Sequence, residues 1–237
     1  MKITLAQTSP KLRRSNLDDV VSIINEYKSQ SDIIVFPELA LSGYMLQDKL
    51  LEDAWSEDEL DILAKLSQDV VIVVGAAMRD GRVFRNTALY FADGKLLSKH
   101  IKVHLPNYGM FEEARYFEGG DKFEVFNHND KKISMLVCED LWHEDVHKEL
   151  IKLDPELMIV LVASPARGFY DDGLAIEDKW YNIIKTVSKE TSAKLIFVNR
   201  VGFEDGLGFW GGSCIVEDGT IIHKLQKFEK EIKTFEV

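Results

Sequence analysis

The sequence predicts a layered α/β domain in which helices pack on sheets. Short, wholly apolar runs such as IIVF and LMIVLV recur along the chain, and such runs are typical of strands buried on both faces. Segments with helical spacing of apolar residues alternate with them. The resulting order is β-α-β-α-β and a hairpin, and the second half repeats it. A chain of 237 residues fits one domain, which we expect to span residues 1–237.

Each predicted element has a local signal. Asn16 is expected to be the N-cap of the first helix, and Ser56 with Glu59 forms a capping box for the second. Asp93-Gly94 and Asp218-Gly219 mark hairpin turns. The predicted strands cover 2–7, 33–36, 70–78, 131–138, 157–164 and 193–202, the hairpins 83–102 and 211–226, and the later helices 143–153 and 176–193.

Charge and cysteine content exclude several classes of function. The formal net charge is -11 and the pI is about 5.1. This acidic balance argues against a nucleic-acid or anionic-membrane partner, since both need a basic surface. The two cysteines, Cys138 and Cys214, do not make a disulfide framework. With no signal-peptide pattern and no apolar run long enough to span a membrane, we expect a cytoplasmic protein.

Chemically useful groups follow three of the predicted strands. Glu38 comes after the run IIVF, Lys102 ends a hairpin arm, and Cys138 ends KISMLV. Sites in layered α/β proteins form at the carboxyl ends of strands. A thiol attacks a carbonyl or nitrile carbon best as thiolate, and a helix N-terminus and a lysine both lower its pKa. A carboxylate can serve as general base. Lys102 and the backbone N–H of Glu139 can bind the oxyanion.

Other interpretations of these residues stay open at this point. A cysteine in an apolar strand often only fills the core. His104, His143 and His147 offer a Cys–His pair, although neighbours in sequence rarely supply the base. A zinc site of Cys138, His143 and His147 lacks a fourth ligand and a CxxC spacing.

Four segments together resemble the carbon–nitrogen hydrolase, or nitrilase, superfamily. They are VFPELALSGY, HIKVHLPNYGMFEEARYF, MLVCEDLW and NRVGFEDGLGFWGGSCIV, and the resemblance covers nearly the whole chain. It implies a four-layer α-β-β-α sandwich. It also implies that Glu38 is the general base, Lys102 the oxyanion-binding lysine and Cys138 the nucleophile. Glu113 would complete a tetrad by holding and polarising Lys102.

The resemblance further implies a small-molecule substrate, no cofactor, no catalytic metal and a homodimer. Tyr44, Tyr108 and Trp142 come from the motif loops and are expected to wall the substrate pocket, together with Ser164. Cys214 is interpreted as an inert core residue.

The sequence motifs point to two different substrate classes. ELALSGY, HLPNYGMFEEARYF and CEDLW resemble the glutaminase domain of glutamine-dependent NAD synthetases, whereas FWGGS resembles carbamoyl-polyamine amidohydrolases. No P-loop accompanies them. We expect an amidase cleaving a small primary amide or N-carbamoyl compound. One alternative is a glutaminase subunit that supplies ammonia to a partner synthetase. The other is a catalytically silent binding protein, but the presence of all four tetrad residues argues against it.

Overall fold

The computed structural model describes residues 1–237 and contains two six-stranded sheets. The α-helices are Asn16–Tyr27 (α1), Leu50–Asp53 (α2), Asp61–Leu66 (α3), Glu113–Tyr116 (α4), Glu144–Leu153 (α5) and Ala175–Thr191 (α6). The strands are Lys2–Gln7 (β1), Ile33–Val35 (β2), Val71–Asp80 (β3), Val83–Ala92 (β4), Lys95–Ile101 (β5), Phe126–His128 (β6), Lys131–Val137 (β7), Leu157–Val162 (β8), Phe169–Tyr170 (β9), Gly173–Leu174 (β10), Lys194–Asn199 (β11), Val201–Glu204 (β12), Leu207–Trp210 (β13), Cys214–Glu217 (β14), Thr220–Lys224 (β15) and Glu231–Glu236 (β16).

The two sheets follow the same plan. In the first, with order β16-β1-β2-β3-β4-β5, strands β1, β2 and β3 are parallel and the others are antiparallel to their neighbours. In the second, with order β15-β14-β11-β8-β7-β6, strands β7, β8 and β11 are the parallel ones. The repeated pattern read from the sequence therefore corresponds to two sheets of similar construction.

Three apolar clusters show that the sheets and helices form four layers. One cluster joins the facing sides of both sheets, with Leu5 and Val73 from the first and Val137 and Ile159 from the second. A second cluster packs α1 and α3 on the outer face of the first sheet. A third packs α5 and α6 on the outer face of the second. The predicted α-β-β-α sandwich is thus confirmed.

Helix starts differ from the sequence-based expectation at two places. Asn16 is not the N-cap but the first residue of α1, and its side-chain amide donates to the carbonyls of Lys11 and Arg13, which ties down the preceding loop. Glu59 accepts the N–H of Ser56, as a capping box requires. The Ser56 hydroxyl also donates to Glu59, and a 3₁₀ turn from Asp58 to Leu60 precedes α3.

The last residues form a strand that the sequence analysis did not predict. Strand β16 pairs antiparallel with β1, so that both chain ends share the edge of the first sheet. The Met1 amino group donates to the carbonyl of Val237 at 2.6 Å. None of the α-helices combines the length and the apolar composition that a membrane crossing requires.

Candidate active site

Cys138 lies where β7 turns into a 3₁₀ helix that spans Cys138–Trp142. Its φ of 44° is in the left-handed region, which a residue with a side chain adopts at a cost of about 1–3 kcal/mol. The last five residues of the strand before it, 133–137, are buried and fix the direction of the turn. Cys138 thereby lines a cavity at the end of the sheet while packing against the edge of the core.

A buried carboxylate, Asp140, holds this turn against the segment that carries Lys102. Its oxygens accept the backbone N–H groups of Val103, His104 and Val137 at 2.9–3.0 Å. The His100 ring bonds to it at 2.8 Å. Burial opposes the charged form, but these hydrogen bonds keep the pKa of Asp140 below its ordinary value. Asp140 follows Cys138 closely in sequence, yet its role depends on loop contacts that no spacing rule indicates.

Lys102 is completely buried between two carboxylates. Its Nζ donates to Glu38 Oε1 and to Glu113 Oε1, each at 2.8 Å. Burial alone would lower the pKa of Lys102, but the charges of Glu113 and Glu38 outweigh it and raise that pKa. Lys102 is therefore a fixed positive charge.

Glu38 is held by donors from both sheets. Its Oε1 accepts from the Asn86 side-chain amide and from Lys102, both at 2.8 Å, and its Oε2 accepts the Ala163 N–H at 2.8 Å. A carboxylate can accept about four hydrogen bonds, so Oε2 keeps capacity for a further donor. The backbone of Glu38 packs tightly against Gly75, where a Cβ would approach the Glu38 Cα to 2.7 Å.

Glu113 lies behind Lys102 and receives a second hydrogen bond from the Tyr44 hydroxyl. Burial raises the pKa of Glu113 to about 7, while Lys102 and the Tyr44 hydroxyl act in the opposite direction. The Glu113 Oε2 atom is buried without a partner. Tyr44 thus lies in a different place from the expected pocket wall: together with Glu113 it lines a separate cavity of about 50 Å³.

The Cys138 thiol is not activated in the way that its position suggested. Burial raises its pKa well above the ordinary value, the Glu38 charge adds to that effect, and Lys102 opposes it. The expectation of a lowered pKa is therefore wrong for the free protein. A neutral thiol beside a carboxylate requires proton transfer at the moment of attack.

A cavity of about 350 Å³ opens above Cys138. Tyr108, Trp142, Ser164 and Glu139 line it, so that these four sequence candidates share one space. The Tyr108 hydroxyl donates to the Glu139 carboxylate at 2.9 Å. The Ser164 hydroxyl accepts from Trp180 Nε1 at 2.9 Å, and the Trp142 ring packs edge-on against Trp180.

Two cationic residues that line this cavity, Arg167 and Lys179, were missed from sequence. Arg167 lines the cavity, and its guanidinium lies 4.7 Å above the ring of Phe111. The Nε and Nη2 atoms of Arg167 are buried without a hydrogen-bond partner. Leaving a charged donor unpaired is unfavourable, so this position suits an anionic ligand group. A lone arginine in a loop gives no signal in the sequence.

Comparison with known proteins places the chain in a family. The family model described as "Carbon-nitrogen hydrolase" matches residues 2–237. The chain belongs to the carbon–nitrogen hydrolase family. The fold and the family that the sequence motifs predicted are thereby confirmed.

Relatives of this carbon–nitrogen hydrolase include larger proteins. A glutamine-dependent NAD(+) synthetase of Acinetobacter baylyi is 35% identical over 98% of this chain and 43% of its own length. The solved structure of the Acinetobacter baumannii glutamine-dependent NAD+ synthetase has a TM-score of 0.86 and 30% identity, covering 98% of this chain and 44% of its own. This chain spans less than half the length of the curated relatives it matches.

An amidase from Nesterenkonia has the same fold in a protein of similar length. It aligns with a TM-score of 0.83 and 22% identity, covering all of this chain and 90% of its own. Both large synthetases and a short amidase therefore contain the architecture found here.

Proposed function

We propose that this chain is an amidohydrolase that releases ammonia from the terminal amide of a small substrate carrying a carboxylate, with glutamine as the first candidate. All residues, 1–237, would form the one catalytic domain. The observation that carries the proposal is the pairing, in a single cavity, of the Cys138 thiol with the unpartnered guanidinium of Arg167. Glu139 in the same cavity supplies an acceptor for an ammonium group.

The reaction begins with attack on the amide carbon. As the Cys138 sulfur bonds to that carbon, Glu38 takes the thiol proton, for which its Oε2 has hydrogen-bonding capacity. The carbonyl π electrons move to oxygen. Lys102 and the Glu139 N–H stabilise the resulting oxyanion, a contribution of about 10²–10³ in rate for one such donor.

Collapse of this intermediate breaks the carbon–nitrogen bond. Glu38 gives its proton to the leaving nitrogen, and ammonia departs, leaving a thioester on Cys138. Glu38 then deprotonates a water molecule that attacks the thioester carbon, and the sulfur leaves with that proton. The products are ammonia and a carboxylic acid. Glu113 takes no part in bond changes and keeps Lys102 charged and in place.

The test is a substrate panel with ammonia as the measured product. Glutamine, asparagine, a neutral primary amide, an N-carbamoyl amino acid and a nitrile would be assayed with the unmodified protein and with Cys138→Ala. We expect turnover of the carboxylate-bearing amide and none in the variant. Turnover of the carbamoyl compound alone would instead identify a carbamoyl amidohydrolase, and the absence of turnover of every compound would contradict the proposal.

Arg167→Met tests the assignment of the carboxylate site. Losing a charged hydrogen bond of about 1.5–3 kcal/mol should raise KM for glutamine about 10–100-fold. The neutral amide should be hydrolysed as before. Arg115→Met is the matched control, since Arg115 is a surface arginine paired with Glu112. An equal loss with both substrates would contradict this role.

A second candidate is a glutaminase subunit that supplies ammonia to a separate synthetase. It is favoured by the relatives' names together with the share of their length that this chain spans. We expect such a protein to hydrolyse glutamine slowly alone and faster in the complex. In the complex, glutamine should replace free ammonia as nitrogen source for an ATP-dependent ligation, and Cys138→Ala should remove only the glutamine-dependent reaction. Equal hydrolysis with and without the partner would contradict it.

We also propose a homodimer formed through the outer helical face. Ile151 of α5 is exposed there beside Ile183 of α6. Light scattering of the purified protein should give twice the chain mass, and Ile151→Glu should give the monomer mass. A monomer in the unmodified protein would contradict this proposal.

A further inference from the structure

Three histidines near Cys138 have no part in the proposed reaction. His147 is already bonded, since its Nε2 lies 2.7 Å from the carbonyl oxygen of Leu141. His104 and His143 differ from it. Their rings are stacked with centroids 3.7 Å apart and an angle of 13° between the planes. Asp145, in the first turn of α5, brings a carboxylate to the same place.

These three side chains are grouped as metal ligands are. One ligand atom from each of His104, His143 and Asp145 lies within 4.8 Å of the others. The His104 Nε2 atom is buried and has no hydrogen-bond partner. A neutral imidazole nitrogen is a common metal ligand in proteins.

We propose that His104, His143 and Asp145 bind a divalent transition-metal ion, of which zinc is the first candidate, at the far end of the 3₁₀ helix that begins at Cys138. Imidazole and carboxylate ligands suit zinc, nickel and copper. Zinc binds imidazole nitrogen at about 2.0–2.1 Å and carboxylate oxygen at about 2.0–2.2 Å. The three ligand atoms must therefore move closer together to bind one ion. His143 can move to do so, because its side chain is 39% exposed. Its ring must turn out of the stack with His104, since the lone pairs of two rings only 13° from parallel do not meet at one ion.

A carboxylate outside this group, Glu139, lies between the proposed site and the cavity that it lines. The Glu139 Oε1 atom lies 3.8 Å from His143 Nε2, and Glu139 directly follows Cys138 in sequence. In the structure, the Glu139 carboxylate accepts a hydrogen bond from the Tyr108 hydroxyl. An ion that binds this carboxylate would break that hydrogen bond. The consequence, which rests on the proposed function, is reversible inhibition, since Glu139 is the proposed acceptor for the substrate's ammonium group. The ion has no role in the hydrolysis itself.

The binding test needs no substrate and must avoid the reactive thiol. Chelator-treated Cys138→Ala protein, as the full chain, would be titrated with zinc chloride in a calorimeter and with Co²⁺ by visible absorption. We expect one ion per chain and the absorption bands of a cobalt site with nitrogen and oxygen ligands. His143→Ala and Asp145→Asn, added to Cys138→Ala, should each weaken binding at least about 10-fold.

The matched control is His223→Ala on the same background. His223 stacks on Phe235 and lies outside the group, so binding should be unchanged. Asp145 is exposed and His143 is half-buried at the start of α5, and their replacement should leave the fold intact, which circular dichroism would check. Failure of Cys138→Ala to bind zinc, or unchanged binding after His143→Ala, would overturn the site.

Inhibition is measured separately on the protein with Cys138 present. Zinc should slow ammonia release, EDTA should restore it, and His143→Ala should need at least about 10-fold more zinc for the same effect. Equal sensitivity of His143→Ala would assign the inhibition to the thiol and contradict this regulation. If no amide is hydrolysed at all, the proposed function fails, while the titration still decides the metal site.

Discussion

Cys138 and Cys214 lie at the ends of two strands of the second sheet, in different surroundings. Cys214 begins β14, is fully buried and packs in the apolar cluster under α6. Cys138 follows β7 and reaches the cavity. Burial raises the pKa of both thiols. The charged groups acting on Cys138 are Lys102 and three carboxylates, whereas those acting on Cys214 are the lysines Lys224 and Lys185. The three carboxylates are Glu38, Glu113 and Glu139.

This difference teaches that the pKa of the resting thiol does not distinguish a nucleophile from a core residue here. The proposed reaction depends instead on a carboxylate that takes the Cys138 proton, a cation held in place to receive the oxyanion, and space for a substrate. Single substitutions can remove each requirement separately.

Replacing each cysteine by alanine contrasts the two environments directly. Cys138→Ala should reduce ammonia release by at least about 10³-fold, because no other thiol reaches the cavity. Cys214→Ala should keep the activity and lower the free energy of unfolding by about 1 kcal/mol. Ammonia assays and urea unfolding measure the two effects. Full activity in Cys138→Ala would break the comparison.

Lys102→Met removes the cation between Glu38 and Glu113. We expect a fall in kcat of about 10²–10³-fold from the lost oxyanion contact. Two buried carboxylates would face each other without it, which should cost about 3–5 kcal/mol in stability. Lys99→Met is the control, since Lys99 pairs with Glu57 at the surface. A stable, active Lys102→Met would contradict the assigned role.

Asp140→Ala tests whether the turn at Cys138 depends on its buried anchor. Three backbone N–H groups would lose their acceptor, so the free energy of unfolding should fall by at least about 3 kcal/mol. Asp19→Ala, at an exposed pair with Arg13, should change it by less than about 1 kcal/mol. Denaturant unfolding compares the two, and equal values would contradict the anchoring role.

Tyr44→Phe is expected to move the pH dependence of kcat. Glu113 has a pKa of about 7 and must be charged to hold Lys102, so activity should fall on acidification through that pH. The Tyr44 hydroxyl stabilises the charged carboxylate. Its removal should therefore raise the pKa and move the midpoint to higher pH, by up to about one unit. Tyr90→Phe, a buried tyrosine bonded to His128, should leave the midpoint unchanged. An unshifted or lowered midpoint in Tyr44→Phe would exclude this role for Tyr44.

The sequence predicted most of the sheet strands because apolar runs and Asp-Gly turns are local signals. It missed the edge strands β6 and β16. In β16, charged and apolar residues alternate, and its pairing with β1 joins the two ends of the chain. Glu38, Lys102 and Cys138 could be chosen together because each follows a predicted strand. Their proximity depends on how the two sheets pack. The family resemblance implied that packing, whereas the spacing of residues in the sequence could not predict it.

The supporting residues were not predictable in the same way. Asn86 and the Ala163 N–H hold Glu38 from distant parts of the chain. Arg167 lies in a loop, and its guanidinium becomes a candidate binding group only because the folded chain places it in the cavity. Tyr44 belongs to a recognised motif, but whether its hydroxyl faces substrate or Glu113 depends on the course of the loop after Glu38. Such contacts follow from tertiary structure and have no period in the sequence.

The most direct test of the central claim is to trap the acyl group on Cys138. The protein would be mixed with glutamine, quenched in acid within its turnover time, and analysed by intact and peptide mass spectrometry. The account predicts a glutamyl adduct on the peptide that contains Cys138, absent from Cys138→Ala. Ammonia release by the unmodified protein without any such adduct, or an adduct at Cys214, would contradict it.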